Sequence, residues 1–238
     1  MVASATVIFR QLFHHLTSSF TYLFARRTGG DAVLVDPLPS ELDLYLKIAA
    51  QLEVPIRYGI ATHSHGGQTA LAELRERTGC ETIMGPDDEG EVEGVTRRIV
   101  DGEWLQIDRM MIQAFHTPGH TPDSACFVLN DRAFTGDTLL IRSTGRTDLE
   151  GGDPLAQWDS LREKLWWLAD HVLVYPAHDY KGWTSSTIAE ERGYNPRLQV
   201  STAEEYAALM ASVAIDDPDL MDLPQPDGPP YGLEPRDG

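Results

Sequence analysis

Five histidine or aspartate positions share one local context, and that context constrains the fold more than any other feature of the chain. They are His63 and His65 in ATHSHGG, His120 in HTPGHTP, Asp137 in FTGDTLL and His178 in VYPAHDY. Each stands at the end of an apolar, strand-like run, beside glycine or another small residue. Strand ends are where a rigid scaffold hands side chains to a site. A lone histidine in such a place is ordinarily a hydrogen-bonded or solvated residue. Five of them together, in Gly- and Pro-punctuated turns, point to a site at the strand ends.

The chain is long enough for such a scaffold. With 238 residues, 42% of them hydrophobic, it can bury about three-quarters of its unfolded surface without disulfides or a partner. One domain over residues 1–215 is expected. From Asp216 onward the chain reads DDPDLMDLPQPDGPPYGLEPRDG, too rich in Pro, Asp and Gly to pack a core, so 216–238 is expected to be a tail. A net charge of −18 argues against nucleic acid or an anionic membrane as partner, since both require a basic surface. Cys80 and Cys126 lack CxxC spacing, which disfavours a disulfide framework or a cysteine-ligated zinc. A cytoplasmic location is expected. Arg10, Gln11, His14 and His15 interrupt any leader-like apolar run, and no segment has the length of a membrane span.

Periodicity supplies a coarse outline. TVIFRQLF, FTYLFAR and DAVLVDP read as strands of one sheet. Leu42, Leu44, Leu46, Ile48, Ala49 and Leu52 follow Pro39-Ser40 and predict a helix capped by Ser40. RYGIATHSH reads as a strand entering a polar turn, and a helix is expected over 68–77. Strand-like pieces between Thr82 and Phe134 predict a second sheet. Trp158, Leu161, Leu165 and Leu168 predict a helix from about Pro154 to Ala169, before the strand HVLVYPAH. Two strand groups with interspersed helices suggest packed sheets with helices outside.

TH-x-H, TPGHTP, FTGD and YPAHDY, in this order, resemble the metallo-β-lactamase superfamily. FRQLF, FTGDTLLIR, GRTD, YPAHDYKG and EER-x-x-NPRL resemble its persulfide dioxygenase branch, so the likeness covers roughly residues 8 to 200. The resemblance implies an αββα sandwich of two mixed β-sheets with helices on the outer faces. It also implies oxidation of a small-molecule persulfide such as glutathione persulfide by O2, yielding sulfite and thiol, and suggests a homodimer. Carried over by position, one iron(II) per chain falls to His63, His120 and Asp137. Two imidazoles and a carboxylate on one face leave open positions, the facial arrangement of non-haem iron oxygenases.

There is one departure. Where the superfamily usually has H-x-H-x-D-H, this chain has His63, Ser64, His65, Gly66, Gly67 and Gln68. A second metal site would lack two ligands, which disfavours hydrolysis by a metal-generated hydroxide. A glyoxalase II-like thioester hydrolase using zinc is the alternative reading, and a degenerate non-catalytic scaffold a third. By the same resemblance, Arg146 and Tyr180 would contact the substrate, with Arg142 nearby, supplying local cations for its carboxylates. The alternative for each arginine is a structural pair, for example Arg146 with Asp148. His65 and His178 are expected to orient water or ligands without binding iron. Asp36 matches a position that buttresses the site.

Overall fold

The computed structural model describes residues 8–64, 70–86 and 92–212. Two six-stranded sheets pack face to face with helices on their outer sides, as the resemblance implies. The first sheet has the order β1 (Ile8–His14), β2 (Ser19–Ala25), β3 (Ala32–Val35), β4 (Ile56–Ile60), β5 (Glu81–Met84), β6 (Arg97–Arg98). The second runs β12 (Ser186–Thr187), β11 (Leu173–Pro176), β10 (Arg132–Gly136), β9 (Ala125–Val128), β8 (Met110–His116), β7 (Trp104–Ile107).

The sandwich follows from strands that are apolar on both faces. Every residue of β2 is buried. Phe20, Tyr22 and Phe24 point into the space between the sheets, while Leu23 and Ala25 meet the helices outside. Alternation of side chains along a strand makes a central strand read as continuous hydrophobe when both faces are covered. The inter-sheet core is aromatic: Phe24 stacks on Phe134 at 5.0 Å, and Tyr22 meets the same ring at 5.0 Å. Helices α1 (Leu42–Gln51) and α2 (Leu71–Thr78) cover the first sheet through Leu42, Tyr45 and Leu74. Helices α3 (Pro154–Asp159), α4 (Ile188–Tyr194) and α5 (Ala203–Ser212) cover the second, with Trp158, Ile188 and Tyr206 in one cluster.

Three expectations are corrected. Ser40 does not cap α1: Pro39–Glu41 forms a 3-10 turn, and the helix begins after Glu41 without a side-chain cap. The strands at Glu81–Met84 and Arg97–Arg98 belong to the first sheet: the chain crosses over through α2 and returns as β5 parallel to β4, and β6 then pairs parallel to β5. The helix expected over 154–169 is α-helical only to Asp159. Ser160–Leu165 winds in wider turns, with Trp166 N–H donating to Leu161 at 2.8 Å, and 166–169 lies outside it. The widening begins where the Ser160 hydroxyl donates to the Pro118 carbonyl at 2.8 Å, beside the turn that carries His120. The expected tail, 216–238, lies outside the described residues.

The topology gathers the site on one rim. β3 and β4 are parallel, as are β10 and β11. The C-terminal ends of these pairs lead into Asp36 and His63 from one sheet, and Asp137 and His178 from the other. The Ala125 amide donates to the Thr62 carbonyl at 2.7 Å and joins the sheets at that rim.

Candidate metal centre

His63, His120 and Asp137 converge. All three are buried, and their ligand atoms lie within 4.8 Å of one another. Asp137 Oδ2 stands 3.9 Å from His63 Nε2 and 3.4 Å from His120 Nε2. These separations can be spanned by one ion holding ligands at about 2.1 Å each. Among the described residues they form the one group of His, Cys, Asp or Glu side chains able to share an ion.

Neighbouring groups settle which ring nitrogen each histidine presents. The His120 Nδ1 stands 2.7 Å from the Arg146 carbonyl, which can only accept, so Nδ1 carries the hydrogen and Nε2 offers its lone pair. The His63 Nδ1 is 2.9 Å from the Thr62 hydroxyl, itself 3.0 Å from both Asp36 oxygens. Above the pKa of about 7 that burial gives Asp36, the ionised carboxylate accepts from the hydroxyl and the hydroxyl accepts from His63, again leaving Nε2 for an ion. The Thr62 amide also donates to Asp36, at 2.7 Å. Asp36 therefore has the buttressing geometry that the resemblance implied, acting through Thr62.

Local backbone makes these approaches possible. A Cβ on Gly145 would lie 2.2 Å from the Asp137 carbonyl and 2.8 Å from His120 Nδ1. Gly136, at φ +54°, stands where a Cβ would meet the Thr62 hydroxyl at 2.6 Å. Glycine suits a left-handed backbone position so closely packed.

The centre is electrostatically ready for a cation. Burial alone would raise the Asp137 carboxyl, but His178, by charge and hydrogen bond, with His63 and His120, holds it well below the usual carboxylate range. Burial pushes Asp36 up to about 7, against the hydrogen bonds from Thr62. His178 Nδ1 donates to Asp137 at 2.8 Å; burial would lower its pKa, and the Asp137 carboxylate outweighs that and raises it. His178 thus touches the carboxylate that would bind the ion, and its ring lies parallel to that of Tyr180 at 6.1 Å. A cavity of about 200 Å³ opens beside His63 and His178, walled by Thr17, Phe20, Pro37 and Leu38.

The other expected positions separate. His65, Gly67 and Gln68 lie outside the described residues. Arg146 sits at the rim and forms a two-pronged pair with Asp148, at 2.7 and 2.8 Å. Arg142, expected near the substrate, is held by intramolecular pairs. Its guanidinium donates to Glu191, Glu190 and Ser186 and lies against the rings of Trp183 and Tyr194. Sequence reading gave no role to Thr62 or Gly145. Thr62 directly precedes a ligand position, and Gly145 lies inside the GRTD segment, so both could have been singled out.

Comparison with known proteins agrees with this geometry. The Metallo-beta-lactamase superfamily matches residues 16–178. The chain is 36% identical to persulfide dioxygenase ETHE1, mitochondrial, of Homo sapiens over 228 residues, covering 94% of this chain and 88% of that one. It is 35% identical to the Bos taurus protein of the same name over 236 residues, 98% of this chain and 91% of that one. The crystal structure of ETHE1 from Myxococcus xanthus superposes with a TM-score of 0.83 at 39% identity, over 90% of this chain and 94% of that one. With its sheet ends carrying the motif residues to one buried centre, the chain belongs to the metallo-β-lactamase superfamily and, within it, to the persulfide dioxygenase family.

Proposed function

We propose that this chain is an iron(II)-dependent persulfide dioxygenase, converting a low-molecular-weight persulfide, O2 and water to sulfite and the free thiol. The observation that carries the reading is the buried donor set of His63, His120 and Asp137, in a chain whose similar proteins are named for this reaction. Two nitrogens and one oxygen on one side suit iron(II), and a bound iron would supply adjacent positions at which a persulfide sulfur and dioxygen are activated together.

The protein's own groups do the rest. His63 and His120 offer Nε2 because Thr62 and the Arg146 carbonyl take Nδ1. Asp137 stays ionised throughout the physiological range, and His178 orients it from the side. Tyr180, stacked on His178, and Arg146 stand where they can bind the polar body of the thiol carrier. Asp148 is half exposed, and such a surface pair contributes only about 0–1 kcal/mol. A substrate carboxylate can therefore displace Asp148 from Arg146 at little cost. Cys80 and Cys126 are free and buried, in keeping with a reducing compartment such as the cytoplasm.

The test is metal content followed by oxygen uptake. Protein loaded anaerobically should hold one iron per chain and consume O2 when given glutathione persulfide. Refusal of iron, or no uptake by iron-loaded protein over several persulfides, defeats the reading. Release of thiol from a glutathione thioester without oxygen uptake would instead identify a hydrolase.

A further inference from the structure

The segment after β10 carries Asp137 at its start and, at residue 146, the carbonyl that fixes the His120 ring. Its own hydrogen bonds are few: Leu140 and Ser143 bond each other at 3.0 and 3.3 Å, and Gly145 N–H donates to Asp137 O at 2.7 Å. Arg142 sits at φ +57°, a left-handed conformation that a side chain resists unless its surroundings impose it.

Those surroundings come from α4 and the 3-10 turn Pro196–Leu198 after it. Glu191 is 1% exposed, and a buried carboxylate is costly unless hydrogen-bonded. It accepts from the Arg142 amide at 2.8 Å, the Arg142 guanidinium, the Ser186 hydroxyl and Asn195 Nδ2. The same Asn195 Nδ2 lies 2.9 Å from the Ser143 carbonyl and 3.4 Å from that of Leu140. Arg197, also buried, donates to the Thr144 carbonyl at 2.8 Å. Three buried polar groups from one short segment therefore grip residues 140, 142, 143 and 144. The Glu191 carboxylate and the Asn195 carboxamide are bonded through both of their polar atoms, and buried bonds of this kind fix one arrangement of the backbone.

We propose that Glu191, Asn195 and Arg197 are positioning residues of the metal centre. By clamping residues 140–144 they set where the Asp137 carboxylate stands, and where the Arg146 carbonyl holds the His120 ring. This rests on the metal-centre part of the reading above and is independent of the substrate. It also gives a task to the EER-x-x-NPRL segment, which contributes no ligand.

The experiment uses the full chain stripped of metal. Cobalt(II) is titrated against a competing chelator, its visible absorption recorded, and the melting of the metal-free protein measured separately. Glu191→Gln and Asn195→Ala should each weaken cobalt binding about tenfold and alter the cobalt spectrum. Glu190→Gln is the control: Glu190 touches the Arg142 guanidinium and Ser186, but no backbone of the clamped segment. It should leave affinity and spectrum as in the wild type. Wild-type affinity and spectrum in folded Glu191→Gln or Asn195→Ala, whatever their melting temperatures, would overturn the proposal, as would equal weakening by Glu190→Gln. Should Glu191→Gln not fold, Asn195→Ala carries the same test, because it removes only the carboxamide. A wild-type protein that takes up no cobalt would overturn the metal-centre reading itself.

Discussion

Asp36 reaches His63 through a single hydroxyl: Thr62 Oγ1 lies 3.0 Å from both oxygens of Asp36 and 2.9 Å from His63 Nδ1. Removing the carboxylate leaves Thr62 free to turn and His63 free to rotate. Asp36→Ala should weaken metal binding about 10–100-fold while the apoprotein still folds. Chelator competition and far-ultraviolet circular dichroism together check this.

Asp36 also makes a signed prediction about pH. Its folded pKa, pushed by burial to about 7, lies above the ordinary carboxylate value. A raised folded pKa means the native state holds a proton that the unfolded chain has released. The associated stability is fully present below about pH 4 and is lost as pH rises through about 7. For apoprotein, the stability difference between wild type and Asp36→Asn should therefore shrink over that window. Urea unfolding at several pH values measures it, and a difference that grows with pH refutes the assignment.

Gly145→Ala is expected to be far more damaging than its size suggests. The added methyl would stand 2.2 Å from the Asp137 carbonyl and 2.8 Å from His120 Nδ1, so the loop and a ligand ring must separate. Metal content should fall much further than stability. Inductively coupled plasma analysis beside a thermal melt compares the two.

Arg146→Ala separates the two jobs of one residue. Its carbonyl holds His120 and survives the substitution, whereas its guanidinium is removed. KM for the persulfide should rise about tenfold, the worth of one charge-assisted hydrogen bond, with iron content unchanged. Steady-state oxygen consumption gives the split. Unchanged KM removes Arg146 from substrate binding.

A strand with an unbroken apolar run, such as β3, was legible because burial on both faces leaves no polar position to confuse the period. His120 and Asp137 were legible from the motifs around them. The allotment of β5 and β6 to the first sheet was not, because pairing across a helical crossover is a relation between distant segments. Nor was the link from Asp36 to Thr62, which depends on the parallel register of β3 and β4. The pairing of Arg142 was hidden for a related reason. Its neighbours in the chain place it beside the site, while its partners Glu190 and Glu191 come from α4, some fifty residues on.

His63 is delivered by the first sheet, and Asp137 and His120 by the second. An ion gripped by all three is thus a rivet through the two halves of the sandwich. Taking it out would let the halves breathe against each other, and the amides of β4 and β10 should then exchange their hydrogens faster than those at the opposite edge.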